Sequence, residues 1–234
     1  MLEMRNVCKS YPGKKTGGRI EVLNHINLTL EQGKTVGLMG KSGSGKSTIA
    51  RILLMLEPAD SGEVYFHGEM IDRKNKSQMK DFRRRVQYIS QHPESFLDPN
   101  WRIGRSVMEA AKIYGKQEKA EWELGILLEQ VKLNRAVFDR YPHQVSGGEI
   151  QRAALLRALI LEPEVVILDE ATSMLDVSVQ AQILNILKEI QQRKSIAYLL
   201  ISHDRGVVSW FTDHIKELRS GRLLESQSGE QNKF

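Results

Sequence analysis

The sequence predicts an α/β fold: a parallel-sheet core, an antiparallel β subdomain toward the N-terminus and an inserted α-helical subdomain. Three features of the 234-residue chain point to it. Thr35–Met39, Val165–Leu168 and Ile196–Ile201 are short, continuously apolar runs, the pattern of parallel strands buried on both faces. From about His92 to Ala158 the apolar residues instead recur at helical spacing, as in Val107–Tyr114 and Glu118–Val131. Between the first strand and an apolar-faced helix, Ile49–Leu56, lies Gly40-Lys41-Ser42-Gly43-Ser44-Gly45-Lys46-Ser47-Thr48.

The elements follow in order. Leu2–Val7, Glu21–Leu23 and Asn27–Leu30 read as short strands around a turn-forming Pro12-Gly13 to Gly17-Gly18 segment. Glu63–Phe66 and Glu69–Ile71 flank His67-Gly68 as a hairpin. Lys80–Arg85 is a dense basic cluster with one aromatic, better read as the exposed face of a helix than as a nucleic-acid platform. Val86–Ser90 returns as a strand before the helical stretch. A helix from Ser178 to Gln192 joins the last two buried strands, and Ile215–Leu218 with Arg222–Leu224 forms a closing hairpin around Gly221. The polar tail from 227 to 234 is expected to be loose.

Bulk composition is that of a globular chain, with 41% hydrophobic and 27% charged residues. No apolar run approaches the roughly 20 residues that span a bilayer. Met1–Ser10 alternates apolar and polar residues, unlike a secretory leader. Cys8 is the single cysteine, which rules out an internal disulfide and an all-cysteine metal site. Cytosol is the expected compartment. The net charge of +5, from 34 basic and 29 acidic residues, is a modest excess that calls for no nucleic-acid partner.

The nine residues from Gly40 to Thr48 fit G-x-x-x-x-G-K-[ST], a phosphate-binding loop. Glycines let consecutive N–H groups wrap an anion, and the following helix aims its positive end at the same charge. Lys46 suits the β- and γ-phosphates, and the Ser47 hydroxyl suits Mg²⁺. A chance match in a chain this long has odds on the order of one in a hundred. The flanking strand and helix lower them further. ATP or GTP with Mg²⁺ is the expected ligand.

Two further motifs join this loop. Val165–Leu168 ends in Asp169-Glu170, where the first carboxylate suits Mg²⁺ held through water and the second suits activation of a water at the γ-phosphate. Alone, such a pair is an ordinary surface turn. Ser146-Gly147-Gly148-Glu149 precedes a long helix, Ile150–Leu161, and reads either as a second anion site or as a plain helix cap with Glu149 as the Ser146 partner. The chain order decides between them: phosphate loop, Gln91, Ser-Gly-Gly, Asp169-Glu170, then His203.

With these residues the chain resembles the nucleotide-binding subunits of ATP-binding cassette (ABC) transporters over essentially its whole length. In that resemblance Ser146-Gly147-Gly148 is the signature and Asp169-Glu170 the Walker B end. Ser173-Met174-Leu175-Asp176 is the D-loop, Gln91 the Q-loop glutamine, His203 the switch histidine and Tyr11 the aromatic that stacks on adenine. The resemblance implies a P-loop (RecA-like) core at 1–91 and 158–226 and a helical insert at 92–157. It implies ATP as substrate, contacted by Tyr11, the loop residues Gly40 and Ser42 to Thr48, Gln91, Asp169, and Ser146 to Gly148 with Asp176. Mg²⁺ would sit on Ser47, Gln91 and Asp169. Glu170, His203, Lys46 and Gln91 would carry the hydrolysis. Two departures stand out: Val145 replaces the usual Leu before the signature, and Glu149 stands where Gln is commoner.

Gln91–Pro99 and Arg140–Gln144 further resemble the peptide/opine/nickel uptake branch, although the cysteine-bearing C-terminal extension of many of its members is absent. The resemblance implies an importer ATPase on the cytoplasmic face of the membrane, serving a peptide, nickel or metal-chelate solute. Its partners would be a second ATP-binding subunit (a heterodimer favoured), integral membrane permeases and, indirectly, an extracytoplasmic solute-binding protein. No nucleic acid is expected. Alternatives are a soluble ABC ATPase of DNA repair or translation, an exporter subunit, or a P-loop kinase or small GTPase. Repair types need a long coiled coil and translation types two cassettes, and the chain shows neither. Kinases and GTPases require neither the Ser-Gly-Gly motif nor His203.

Overall fold

A computed structural model describes residues 1–13, 18–173 and 175–226. Gly17 of the expected turn, Met174 of the D-loop and the tail 227–234 lie outside the described residues. In chain order the first elements are β1 (Leu2–Pro12), β2 (Arg19–Leu30), β3 (Thr35–Gly40) and α1 (Lys46–Leu53). β4 (Ser61–Phe66), β5 (Glu69–Met70), α2 (Lys76–Arg85) and β6 (Val86–Ile89) follow. Next come α3 (Ile103–Ile113), α4 (Gln117–Gln130), α5 (Gly147–Leu159), β7 (Val165–Asp169) and α6 (Val177–Lys194). The last are β8 (Ala197–Ile201), α7 (Arg205–Phe211), β9 (His214–Arg219) and β10 (Arg222–Ser226). They form two compact units: Met1–Arg83 with everything described from Ala197 onward, and Arg84–Ile196.

The first unit holds two sheets. One is antiparallel, in the order β2-β1-β4-β5. The other runs β10-β9-β3-β8, with β3 parallel to both of its neighbours and β10 antiparallel to β9. Leu38, Leu199 and Ile201 are essentially inaccessible to solvent, as continuously apolar strand sequences require. α1 packs against β1 and β3 through Ile49, Ile52 and Leu53.

One expectation needs correction here. The three short N-terminal strands are two long ones, β1 and β2, paired from Leu2↔Leu30 to Pro12↔Arg19. The cause is bulging. In β1 the buried positions are Leu2 and Met4, then Val7 and Lys9, so the inward phase slips at Asn6, whose φ is 49°. β2 slips likewise at His25, also at φ 49°, between buried Leu23 and buried Ile26. Each bulge reverses which face a strict alternation assigns to the core, so a continuous strand looks broken in sequence.

The second unit pairs β6 with β7 in parallel, from Val86↔Val165 to Ile89↔Leu168. The Glu164 N–H donates to the Arg85 carbonyl at 2.8 Å, and the Arg85 guanidinium donates to the Glu164 carboxylate, securing the start of this pair. α3 packs on α5 and α4. Lys116 and Lys119, flanking the start of α4, both bond Glu162 beyond α5. Partial burial raises the Glu162 pKa, but the two ammonium groups outweigh it and hold the carboxyl down at about 2.

The β1 bulge constrains one more residue. Gly62 of β4 has φ +82°, and a Cβ there would lie 2.4 Å from the Asn6 carbonyl oxygen and 2.6 Å from that of Arg5. Both obstacles are backbone and cannot rotate away. Gly62→Ala is therefore expected to destabilise the chain by at least about 2 kcal/mol, combining left-handed strain with the clash. A urea-unfolding midpoint equal to that of the unsubstituted chain would contradict this account.

Candidate nucleotide site

In the first unit the glycine loop links the end of β3 to α1. Gly45 occupies the N-cap of α1 at φ +109°, a conformation closed to ordinary side chains, and an added Cβ would lie 2.7 Å from Val22 Cγ1. The first intrahelical bond runs from the Ile49 N–H to the Gly45 carbonyl at 3.0 Å. The N–H groups of Lys46, Ser47 and Thr48 precede it, with no side-chain cap and no acidic residue in that turn. By contrast, α5, α6 and α7 are capped by Ser146, Asp176 and Asp204. The buried Ser44 hydroxyl also finds no hydrogen-bond partner among the described residues. An uncapped helix start beneath a glycine loop is a fit for phosphate oxygens.

The basic and aromatic residues around this loop are close by. The Lys46 ammonium donates to the Gly40 and Lys41 carbonyls at 2.8 and 3.1 Å, which folds it over the loop. Ser47 is exposed, whereas Thr48 is buried with Oγ1 3.4 Å from the Tyr11 hydroxyl. Lys9 Nζ stands 5.5 Å from the Tyr11 ring centroid and also donates to the Pro58 carbonyl at 2.7 Å. Burial, followed by the neighbouring Glu57, raises the Tyr11 pKa, so the phenol stays neutral at physiological pH. Strand register brings in His203. Leu38 of β3 pairs with Ile201 of β8, so Gly40 and His203, each two residues further on, leave the same edge of parallel strands. His203 is exposed, in a tight connection where the Asp204 N–H donates to Ser202 Oγ at 3.1 Å and the Asp204 carboxylate caps α7.

The second unit repeats this arrangement. Ile89 pairs with Leu168, so Gln91 and Glu170 leave the same edge, with Asp169 as the last residue of β7. Asp169 is buried, and its Oδ2 accepts from the Tyr88 hydroxyl at 3.2 Å. Glu170 has φ +49°, and its carbonyl accepts from the Ser173 N–H at 3.1 Å and the Ser173 hydroxyl at 2.9 Å. A non-glycine residue in this region is strained, which is typical of functional turns.

Ser146 and Gly147 are exposed at the start of α5. Ser146 forms a reciprocal cap: its Oγ accepts from the Glu149 N–H at 3.3 Å. Its own N–H and O–H donate to Glu149 Oε2 at 2.9 and 2.8 Å. These donors hold the Glu149 carboxyl below the usual carboxylate range. Gly148 faces α6, where a Cβ would meet Val179 Cγ1 at 3.0 Å. Asp176 caps α6 by accepting from the Val179 N–H at 2.9 Å.

Each unit thus gathers its own share of the expected residues. Tyr11, the glycine loop, Lys46, Ser47, Thr48 and His203 lie in the first. Gln91, Ser146, Gly147, Gly148, Asp169, Glu170 and Asp176 lie in the second. Sequence reasoning did not single out Tyr88 or Lys9, whose contacts with Asp169 and Tyr11 depend on strand pairing and ring packing that no local motif encodes.

The ABC transporter family profile matches residues 23–173. The chain belongs to the ABC transporter family. It is 39% identical over 232 residues to a putative peptide import ATP-binding protein of Brucella ovis, covering 98% of this chain and 73% of the relative. Identity to the oligopeptide transport ATP-binding protein OppF of Bacillus subtilis is 39% over 229 residues, covering 96% and 74%. Among solved structures, the dimeric bacterial ABC transporter cassette MJ0796 superposes with a TM-score of 0.83 at 26% identity, over 97% of this chain and 99% of the other. A dimeric post-hydrolysis state of MJ0796 bound to ADP and Pi gives 0.82 at 27% identity, with the same coverage. The expected α/β fold class is therefore the ABC cassette fold. No helix among the described residues is long and apolar enough to cross a membrane.

Because Gly45 joins a left-handed backbone to a close contact with Val22, Gly45→Ala should distort the loop at its helix junction. Affinity for an adenine nucleotide is expected to fall by at least about tenfold, equivalent to about 1.4 kcal/mol. Titration calorimetry on the full chain measures this directly; unchanged affinity would show that the loop tolerates a side chain there.

Proposed function

We propose that this chain is the ATP-hydrolysing subunit of a peptide importer, acting through separate integral membrane permeases on the cytoplasmic face of the membrane. The observation that carries the ATPase reading is the uncapped start of α1 beneath the Gly40–Gly45 loop, with Lys46 folded over it. The names of the relatives at 39% identity favour peptide over nickel or a metal chelate as the cargo. In this reading the RecA-like core is 1–91 with 158–226, and the helical insert is 92–157.

The residue roles follow from their chemistry. Tyr11 stacks on adenine, and the N–H groups from Gly43 to Thr48 with Lys46 take the phosphates. Gly40 and Ser42 complete the loop around them. The Ser47 hydroxyl and the Gln91 amide oxygen are hard oxygen donors suited to Mg²⁺, and the Asp169 carboxylate would hold the ion through water. The ion, when bound, neutralises charge on the transferring phosphoryl group. Glu170 orients the attacking water, and His203 stabilises the γ-phosphate charge. Ser146, Gly147, Gly148 and Asp176 serve the nucleotide of a second ATP-binding subunit arranged head to tail, a heterodimer being favoured. The dimeric structure of MJ0796 supports such pairing. Exposed residues between Ser95 and Tyr114 receive the permease, and a solute-binding protein acts upstream of it. No nucleic acid takes part.

Two substitutions test this reading. Lys46→Ala removes the cation over the loop and is expected to abolish phosphate release; turnover at the unsubstituted rate would refute the nucleotide assignment. Glu170→Gln preserves shape while deleting the base. A loss of about 10²–10⁴-fold in kcat is expected, with ATP binding retained and a nucleotide-dependent dimer accumulating in light scattering. Should no such dimer form with any candidate subunit, the two-subunit arrangement fails.

A further inference from the structure

Tyr88 lies outside every motif considered above, yet it touches two of their surroundings. Its hydroxyl donates to Asp169 Oδ2 at 3.2 Å. Its ring meets Phe96 edge to face, with centroids 6.1 Å apart and planes at 83°. Phe96 closes the 3₁₀ turn Pro93–Phe96, which begins two residues after Gln91 and packs on α5. Tyr88, Gln91, Phe96 and Asp169 all belong to the second unit.

The geometry points to Tyr88 as a positioning residue for the Asp169 carboxylate, steered by the segment that follows Gln91. A buried carboxylate offering oxygens to a cation must hold one orientation, and groups that bond to it from behind fix that orientation. Tyr88 does this through its hydroxyl, which donates to Oδ2. The phenol reaches Asp169 only while its ring stays seated, and Phe96 packs against that ring. A shift of the Pro93–Phe96 turn therefore changes the freedom of the Tyr88 hydroxyl and so of Asp169. The register supplies the lever: Tyr88 pairs with Ile167, two residues before Asp169, on neighbouring strands.

This inference rests on the assignment of Asp169 to the metal, and the test separates the two. The contribution of Mn²⁺ binding is read as the ratio of the full chain's ATP affinity with excess Mn²⁺ to its ATP affinity in EDTA, both from titration calorimetry. Tyr88→Phe keeps the ring and removes the hydroxyl. It is expected to weaken Mn²⁺ binding about tenfold, the low end for partners that orient a metal ligand, while metal-free nucleotide affinity stays unchanged. Phe96→Ala, which deletes a side chain aimed at Tyr88, is expected to weaken Mn²⁺ by a smaller factor in the same direction. Asp169→Asn is the control. If it leaves Mn²⁺ affinity unaltered, the metal assignment itself falls. If Asp169→Asn weakens Mn²⁺ but Tyr88→Phe does not, only the positioning role is overturned. An effect of Tyr88→Phe without any of Phe96→Ala removes the steering by the turn.

Discussion

Parallel strand pairing is the constraint on which the functional residues depend. β3 with β8, and β6 with β7, each deliver two chain exits to one strand edge in fixed register. The consequence is chemical. The glycine loop and His203 leave the first pair side by side, and Gln91 and the Asp169-Glu170 carboxylates leave the second. Loops alone would not hold such groups in fixed register. Strands buried on both faces can, because any slip would have to repack close-packed side chains on both faces at once. Fully buried Val165, Val166 and Ile167 in β7 thus set the position of Asp169 as much as any polar contact does.

The two units use helix starts differently. α5, α6 and α7 are closed by side chains, so their leading N–H groups are already engaged. α1 alone among these four begins on a glycine that offers no side chain. Its dipole and its leading N–H groups stay available to an incoming anion. The cost of that design is the left-handed backbone at Gly45, which only glycine carries without strain.

Much of this was legible in sequence. β3, β7 and β8 announce themselves as continuous apolar runs, and the Ser146-x-x-Glu149 spacing signals the capping box directly. The motif residues fell at strand ends and helix starts, as their spacing from Gly40 to His203 implied. β1 and β2 were legible only in fragments, because the bulges at Asn6 and His25 invert the alternation that marks a half-buried strand. Tyr88 was not legible at all. It is one aromatic residue in a short strand, and its partner Asp169 lies 81 positions away in sequence. Only register on the neighbouring strand brings the two together. Lys9 is similar: nothing local tells a surface lysine from one lying over the Tyr11 ring.

Glu149 shows how a helix cap occupies the atoms that the proposed anion site would use. Ser146 directs both its N–H and its O–H at one Glu149 carboxylate oxygen. Those donors hold the Glu149 carboxyl below the usual carboxylate range. A phosphate approaching this helix start must therefore draw the Ser146 donors away from a carboxylate that already has them, and it meets like charge as it does so. Glutamine at the same position would accept the same N–H without the charge. The departure at Glu149 is thus conservative for the helix, whose cap either residue closes, and consequential for an anion, which only the carboxylate repels.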